Sequence, residues 1–190
     1  MRMIFGFLCC LFAVALCAGE GMADEIMYAR CNLKVIKGNQ ITWINWQSTP
    51  DLIPVGTKLK VSRNGDKATF VREDSGKKYE VDLGADGEAY LNKFVAPKPI
   101  DIGVFPKVVQ ESIDKAIAKI GMTKAQVYIA MGPPARVSSG NVATGKMSYE
   151  EIMGTDLWVY ARRRFGKNIG VAFDPKTGLV SRTEGIWGKE

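Results

Sequence analysis

Histidine is absent from the 190 residues, and three of the four cysteines (Cys9, Cys10, Cys17) fall in the first stretch of the chain. Without imidazole the usual general base and the commonest metal ligand are missing. Beyond the leader only Cys31 remains, so no intrachain disulfide can brace the fold, and no Ser/His, Cys/His or zinc constellation can be assembled. Cys31 reads either as a small buried hydrophobe or as a thiol for intermolecular pairing. Asp51 and Glu73-Asp74 look like turn or surface acids, and no spacing singles out a pair of carboxylates. The expectation is no catalytic residue, no metal and no cofactor.

Long apolar runs are equally scarce. One exists, Ile4–Ala18, preceded by Met1-Arg2 and followed by small residues. That is the pattern of a secretory signal peptide, too short for a membrane span of about 20 residues. Residues 1–23 are therefore expected to be a signal peptide, cut after Ala23 or after Gly19, which places the mature chain in the periplasm or against the outer membrane. A lipid anchor would need a small residue before the acceptor cysteine. Leu16 before Cys17 argues against one.

The formal net charge is +6. Arg2 and Glu20 leave together, so cleavage preserves it. A basic exported chain suits acidic faces of envelope proteins, anionic lipid and peptidoglycan. The compartment excludes nucleic acid. Oligomeric state has no signature in the sequence.

Residues 24–96 read as short strands. "YARCNLKVI" and "QITWINW" flank Lys37-Gly38-Asn39. In "GTKLKVSRNGDKATFV", Leu59 and Val61 alternate with lysines up to Asn64-Gly65, a pair favoured in type I′ hairpin turns. Closely spaced turns suggest a small barrel, and "IPVGTKLKV" resembles the SH3-like barrels of exported bacterial proteins. Residues 97–107, rich in proline, read as a linker. Trp43 and Trp46 are three apart and cannot share a strand face. One is expected in the core, the other in a ligand groove.

From 108 onward the period changes. Val109, Ile113, Ala116, Ile117 and Ile120 form one helical face, ended by Gly121. Thr123 and Gln126 fit a capping box opening a second helix, which Gly132-Pro133-Pro134 stops. This helix–turn–helix offers only Lys124, Gln126 and Tyr128 as polar outer residues, too few to read DNA. Ala135–Gly154, with "SSGNVATG", reads as a long mobile loop. "DLWVYARRRF", "NIGVAFD" and "LVSRTEG" then read as three strands, so the fold class is α+β with helices on one sheet face. If Val159, Ala161 and Phe165 face those helices, Trp158, Tyr160, Arg162 and Arg164 line the open face, a composition enriched in interfaces. The competing reading packs the aromatics beneath the loop or the barrel and leaves the arginines solvated.

Gly121-Met122-Thr123, Val127, Gly132, Pro134, Trp158, Tyr160 and Phe173 occur in the order of the SmpA/OmlA family, whose BamE-like α-α-β-β-β domain serves outer-membrane barrel assembly. The resemblance spans about residues 108–185. It implies a two-layer domain over 108–190 in an exported, non-enzymatic envelope protein, binding or scaffolding in outer-membrane protein assembly or envelope integrity. The same unit in beta-lactamase inhibitor proteins binds a protein with its sheet face. The chain departs from the family in lacking its lipidated cysteine, in its long loop, and in the β-rich module that precedes the domain. The alternative expectation is a cell-wall enzyme or enzyme inhibitor whose SH3-like module binds peptidoglycan or peptide.

Overall fold

The computed structural model describes residues 24–84, 87–138, 142–162 and 166–186. The leader 1–23 and Arg164 lie outside the described residues. The fold is mixed α+β, mostly sheet with three α-helices among the described residues.

The first half carries β1 (Glu25–Ala29), β2 (Leu33–Lys34), β3 (Gln40–Ile41), β4 (Leu52–Ile53), β5 (Lys58–Asn64), β6 (Lys67–Arg72) and β7 (Lys78–Asp82). A 3-10 helix over Gly87–Lys93 leads into β8 (Val95–Ala96). Six of these strands form one sheet in the order β3-β7-β6-β5-β1-β8, while β2 and β4 pair separately. Alternation builds β5, β6 and β7. Leu59, Val61, Ala68, Phe70, Tyr79 and Val81 go inward, and Lys58, Lys60, Lys67, Glu80 and Asp82 go outward. Asn64 pairs with Lys67, so the hairpin turn falls on Gly65-Asp66, one residue beyond the expected pair, with Gly65 at φ 60°.

The second half carries α1 (Lys107–Asp114), α2 (Lys124–Met131), β9 (Arg136–Val137), β10 (Val142–Ala143), α3 (Tyr149–Met153), β11 (Leu157–Tyr160), β12 (Asn168–Phe173) and β13 (Val180–Ile186). Its antiparallel sheet runs β10-β9-β11-β12-β13. The capping box forms as expected: Thr123 Oγ1 accepts from the Gln126 amide, and Gln126 Oε1 accepts from the Thr123 amide at 2.9 Å. The loop expected between α2 and β11 is instead partly structured, with β9, β10 and α3 in it. A second capping box, Ser148 with Glu151, starts α3, and Ile152 anchors it in the core.

Helix α1 is a turn shorter than its apolar period suggests. Continuing it would spend the Ile113 carbonyl on the Ile117 amide. The Asn32 side chain and the Ala116 amide take that carbonyl instead, at 2.6 and 2.9 Å, the Ile117 amide donates to Ser112 O, and Ala116 turns to φ 52°. Ile117 and Ile120 are left exposed, and Gly121 (φ 86°) turns the chain toward β13 rather than ending a helix.

Two asparagines join the halves. The last four carbonyls of a helix have no partner inside it. In α2 the Gly132 amide serves Tyr128, the Asn32 amide serves Ile129, and Asn32 Nδ2 serves Ala130. Asn45 Nδ2 and Gln47 Nε2 both donate to Met131 O, at 2.6 and 3.0 Å. Asn45 also donates to Asn32 O and accepts from the Lys34 amide. Residues 30–57 therefore bend over the end of α2, which is why the expected strand "QITWINW" stops at Ile41.

Candidate functional site

The structure corrects the facing of β11. Trp158 and Tyr160 point into the core, both fully buried. By alternation Val159 takes the face away from the helices. Trp158 stacks edge-on with Phe173 at 4.7 Å and Tyr128 at 6.0 Å, and its Nε1 donates to Thr155 Oγ1 at 2.9 Å. Tyr128, one turn into α2, packs its own ring onto that face of the sheet. The alternation of β11 is real; its sign was not fixed by the strand alone. Tyr160 lies among the core groups, its hydroxyl without a hydrogen-bonding partner among the described residues. Burial pushes both its phenol and that of Tyr128 well above the ordinary range.

Among the described residues, Arg162 is the one expected site residue that is exposed. Its backbone amide donates to Asn168 Oδ1 at 3.3 Å. It lines a cleft of about 350 Å³ between the α1–α2 connection and the edge of the sheet, together with Ile117, Ile169 and Thr183. Arg162 and the two aromatics are therefore not brought together on one surface.

Trp43 and Trp46 lie in irregular chain, each half-buried. The Trp43 side chain packs over Gly84 on one side and Gly145 on the other, where an added Cβ would meet it at 3.5 Å. It wedges a loop of the first half against a loop of the second. Neither tryptophan lines the larger groove.

That groove, about 520 Å³, lies across the outer face of β5, β6, β7 and β3. Register puts Ser62, Thr69, Glu80 and Gln40 in one row and Asn64, Lys67 and Asp82 in the next. Hydroxyls, amides and both charge signs give it donors and acceptors suited to sugars or peptide backbone. The sequence contained this signal, since the polar half of each alternating strand names the row, but only cross-strand register aligns the three strands.

Lys93 closes the remaining gap between the halves. It is fully buried at the end of its 3-10 helix. Nζ donates to Thr144 O at 3.0 Å and Gly145 O at 3.2 Å, and Tyr128 donates its hydroxyl to Lys93 O. Desolvation brings the ammonium down to about 8. Nearby, the Arg30 guanidinium sits 4.4 Å over the Tyr149 ring. Cys31 is buried, and desolvation pushes its thiol far up, so it stays protonated and inert. Among the described residues no group of three or more Cys, Asp or Glu is placed to hold a metal ion.

No family model matches the chain, and no curated protein or solved structure does either.

Proposed function

We propose that this is an exported, non-catalytic binding or scaffold protein of the cell envelope, acting in outer-membrane protein assembly or envelope integrity. In this reading an SH3-like module precedes a BamE-like, SmpA/OmlA-type domain. One observation carries it: the positions that make the resemblance all do fold-level work in the second half. Gly121 turns at φ 86°, Met122 and Val127 are buried, Thr123 caps α2 and Gly132 ends it. Trp158, Tyr160 and Phe173 fill the layer between helices and sheet, and Pro134 is buried just after the end of α2. The strand order β8-β1-β5-β6-β7, with a 3-10 helix just before β8, supports the SH3-like half. The groups best suited to nucleophilic chemistry, Cys31, Lys93 and Tyr160, are sealed in the core and away from both clefts.

Deletion of the gene in its host tests this reading. The expected result is a more permeable outer membrane, measured as sensitivity to large antibiotics it normally excludes, with lower levels of β-barrel proteins. Unchanged permeability, or recovery of the chain from the cytoplasm, would sink it.

The polar groove across β5, β6 and β7 favours a second reading, a cell-wall-associated protein that holds peptidoglycan there. Co-sedimentation with purified peptidoglycan decides it. Binding lost on Glu80→Ala supports this second reading, and no co-sedimentation at all removes it.

A further inference from the structure

The outer strands of the two large sheets are not alike. β3, β8 and β10 are each two residues long, which leaves little backbone for another chain to pair with. β13 is seven residues long and is the last strand of its sheet. Long edges carry rows of unpaired backbone groups and are usually blunted by lysine, proline or a covering loop.

Among the described residues, partners on the outer edge of β13 reach only its first residue. The Gly121 amide donates to Val180 O at 2.9 Å, and the Val180 amide donates to Met122 O at 2.8 Å. Beyond it, no described residue pairs with the outer edge of Ser181–Gly185. The centre of that open window is Thr183, and its neighbours are Arg182 and Glu184. They lie on one face of the strand, 3.5 Å apart, both well exposed. Like charges here would repel a second copy of the strand. These are opposite and symmetric about the centre.

We propose that two copies of the chain associate by pairing β13 with β13, antiparallel about Thr183, into one continuous ten-stranded sheet. In that register Thr183 meets Thr183, and Arg182 of each copy meets Glu184 of the other, making a closed square of alternating charges. Threonine pairs and opposite charges are favourable cross-strand neighbours. The Gly121–Met122 segment stops the pairing at both ends and so fixes its length. The bulge beside Ser181 falls outside Arg182–Glu184 and does not disturb the centre. Ile120, 72% exposed, and Ile117, 39% exposed, flank the same edge and would be covered. The two-fold axis runs through the sheet, so the interface is isologous and closes at the dimer.

Sedimentation equilibrium on the purified full chain tests this with three proteins. Wild type is expected to show a concentration-dependent dimer. Arg182→Glu and Glu184→Arg each turn the square into four like charges and should weaken association roughly tenfold or more. Mixed in equal amounts, the first variant supplies two acids and the second two bases, so the pair should re-form a dimer with at least wild-type affinity. Both positions are solvated, and equal melting temperatures will show that folding is intact. A wild type that stays monomeric, single variants that dimerise like wild type, or a mixture that does not recover would each overturn the proposal.

Discussion

The two halves bury themselves with different side chains. The N-terminal sheet closes mainly on aliphatic residues at alternate positions, such as Leu59, Val61 and Val81, with Phe70 among them. The C-terminal layer closes on a relay of rings: Tyr149 against Tyr128 at 4.9 Å, Tyr128 against Trp158, Trp158 against Phe173. The seam between them belongs to neither type. Beside the apolar contacts that run through both halves and the Trp43 wedge, it holds Asn32, Asn45, Gln47 and Lys93, polar side chains kept in buried or half-buried places by the open carbonyls of α2 and of residues 144–145. Repeating patterns make cores, whereas single well-placed donors make a joint. Joints of this kind are high-stakes, because a donor removed leaves several acceptors stranded at once.

The sharpest test of the ring layer is Trp158→Ala. Removing a fully buried tryptophan is expected to cost about 3–5 kcal/mol, read as a lower denaturant midpoint. Arg162→Ala, exposed on the next turn of the chain, should cost less than about 0.5 kcal/mol. Similar small costs for both would return Trp158 to the surface and break the contrast.

The seam is tested by Asn45→Ala. It strands Met131 O in part, Asn32 O and the Lys34 amide, for an expected loss of about 2–4 kcal/mol. Helix signal by circular dichroism and tryptophan fluorescence should then cease to report one coincident transition, since the halves lose part of their coupling. A loss under about 1 kcal/mol with coincident transitions would mean that packing alone joins them.

These two results also mark what could be read from residues alone. The Leu59/Val61 alternation, the Thr123/Gln126 cap and the three late strands were legible because each is a local, repeated pattern. The facing of β11 was not. Alternation is symmetric, and only Tyr128 across the layer and Phe173 on the neighbouring strand show which side takes the rings. α3 was missed although Ser148 and Glu151 spell its cap, because the glycines and serines nearby suggested a loop. The candidate site fared worst. Trp158 and Tyr160 are structural, and the polar rows of the outer groove appear only when register aligns three strands. Asn45 had no sequence signal, because its partners Asn32 and Lys34 follow no periodic pattern and the third, Met131, sits 86 residues away.

Gly132 ties the two kinds of region together and predicts a coupling. Its φ of 72° already favours glycine, and an added Cβ would lie 2.4 Å from Asn45 Nδ2. Gly132→Ala is therefore expected to cost about 2–3 kcal/mol, from backbone strain and displaced amide together. In an Asn45→Ala background the second part disappears, so the penalty should fall to about 1 kcal/mol. Equal penalties in both backgrounds would show that the glycine serves the helix end only.

The smallest expected effect is on pH, and Lys93 carries it. The ordinary lysine value of 10.5 falls to about 8 in the fold. Between those values the unfolded chain holds a proton that the folded chain has released, so stability rises with pH there, by roughly 1 kcal/mol per unit. Cys31, Tyr128 and Tyr160 act in the opposite sense. Their folded values lie above their unfolded ones, near 9 for the thiol and 10 for the phenols, and the stability they provide declines as pH climbs past those points. The wild-type curve should thus climb from pH 8 to 9, flatten, and turn down above 10. Lys93→Met removes only the rising part, so the stability difference between wild type and variant should itself grow by about 1 kcal/mol from pH 8 to 9. A constant difference would mean that the two carbonyls at residues 144 and 145 fully replace the water Lys93 gives up, and that the polar seam carries its buried charge as comfortably as the ring layer carries its tryptophan.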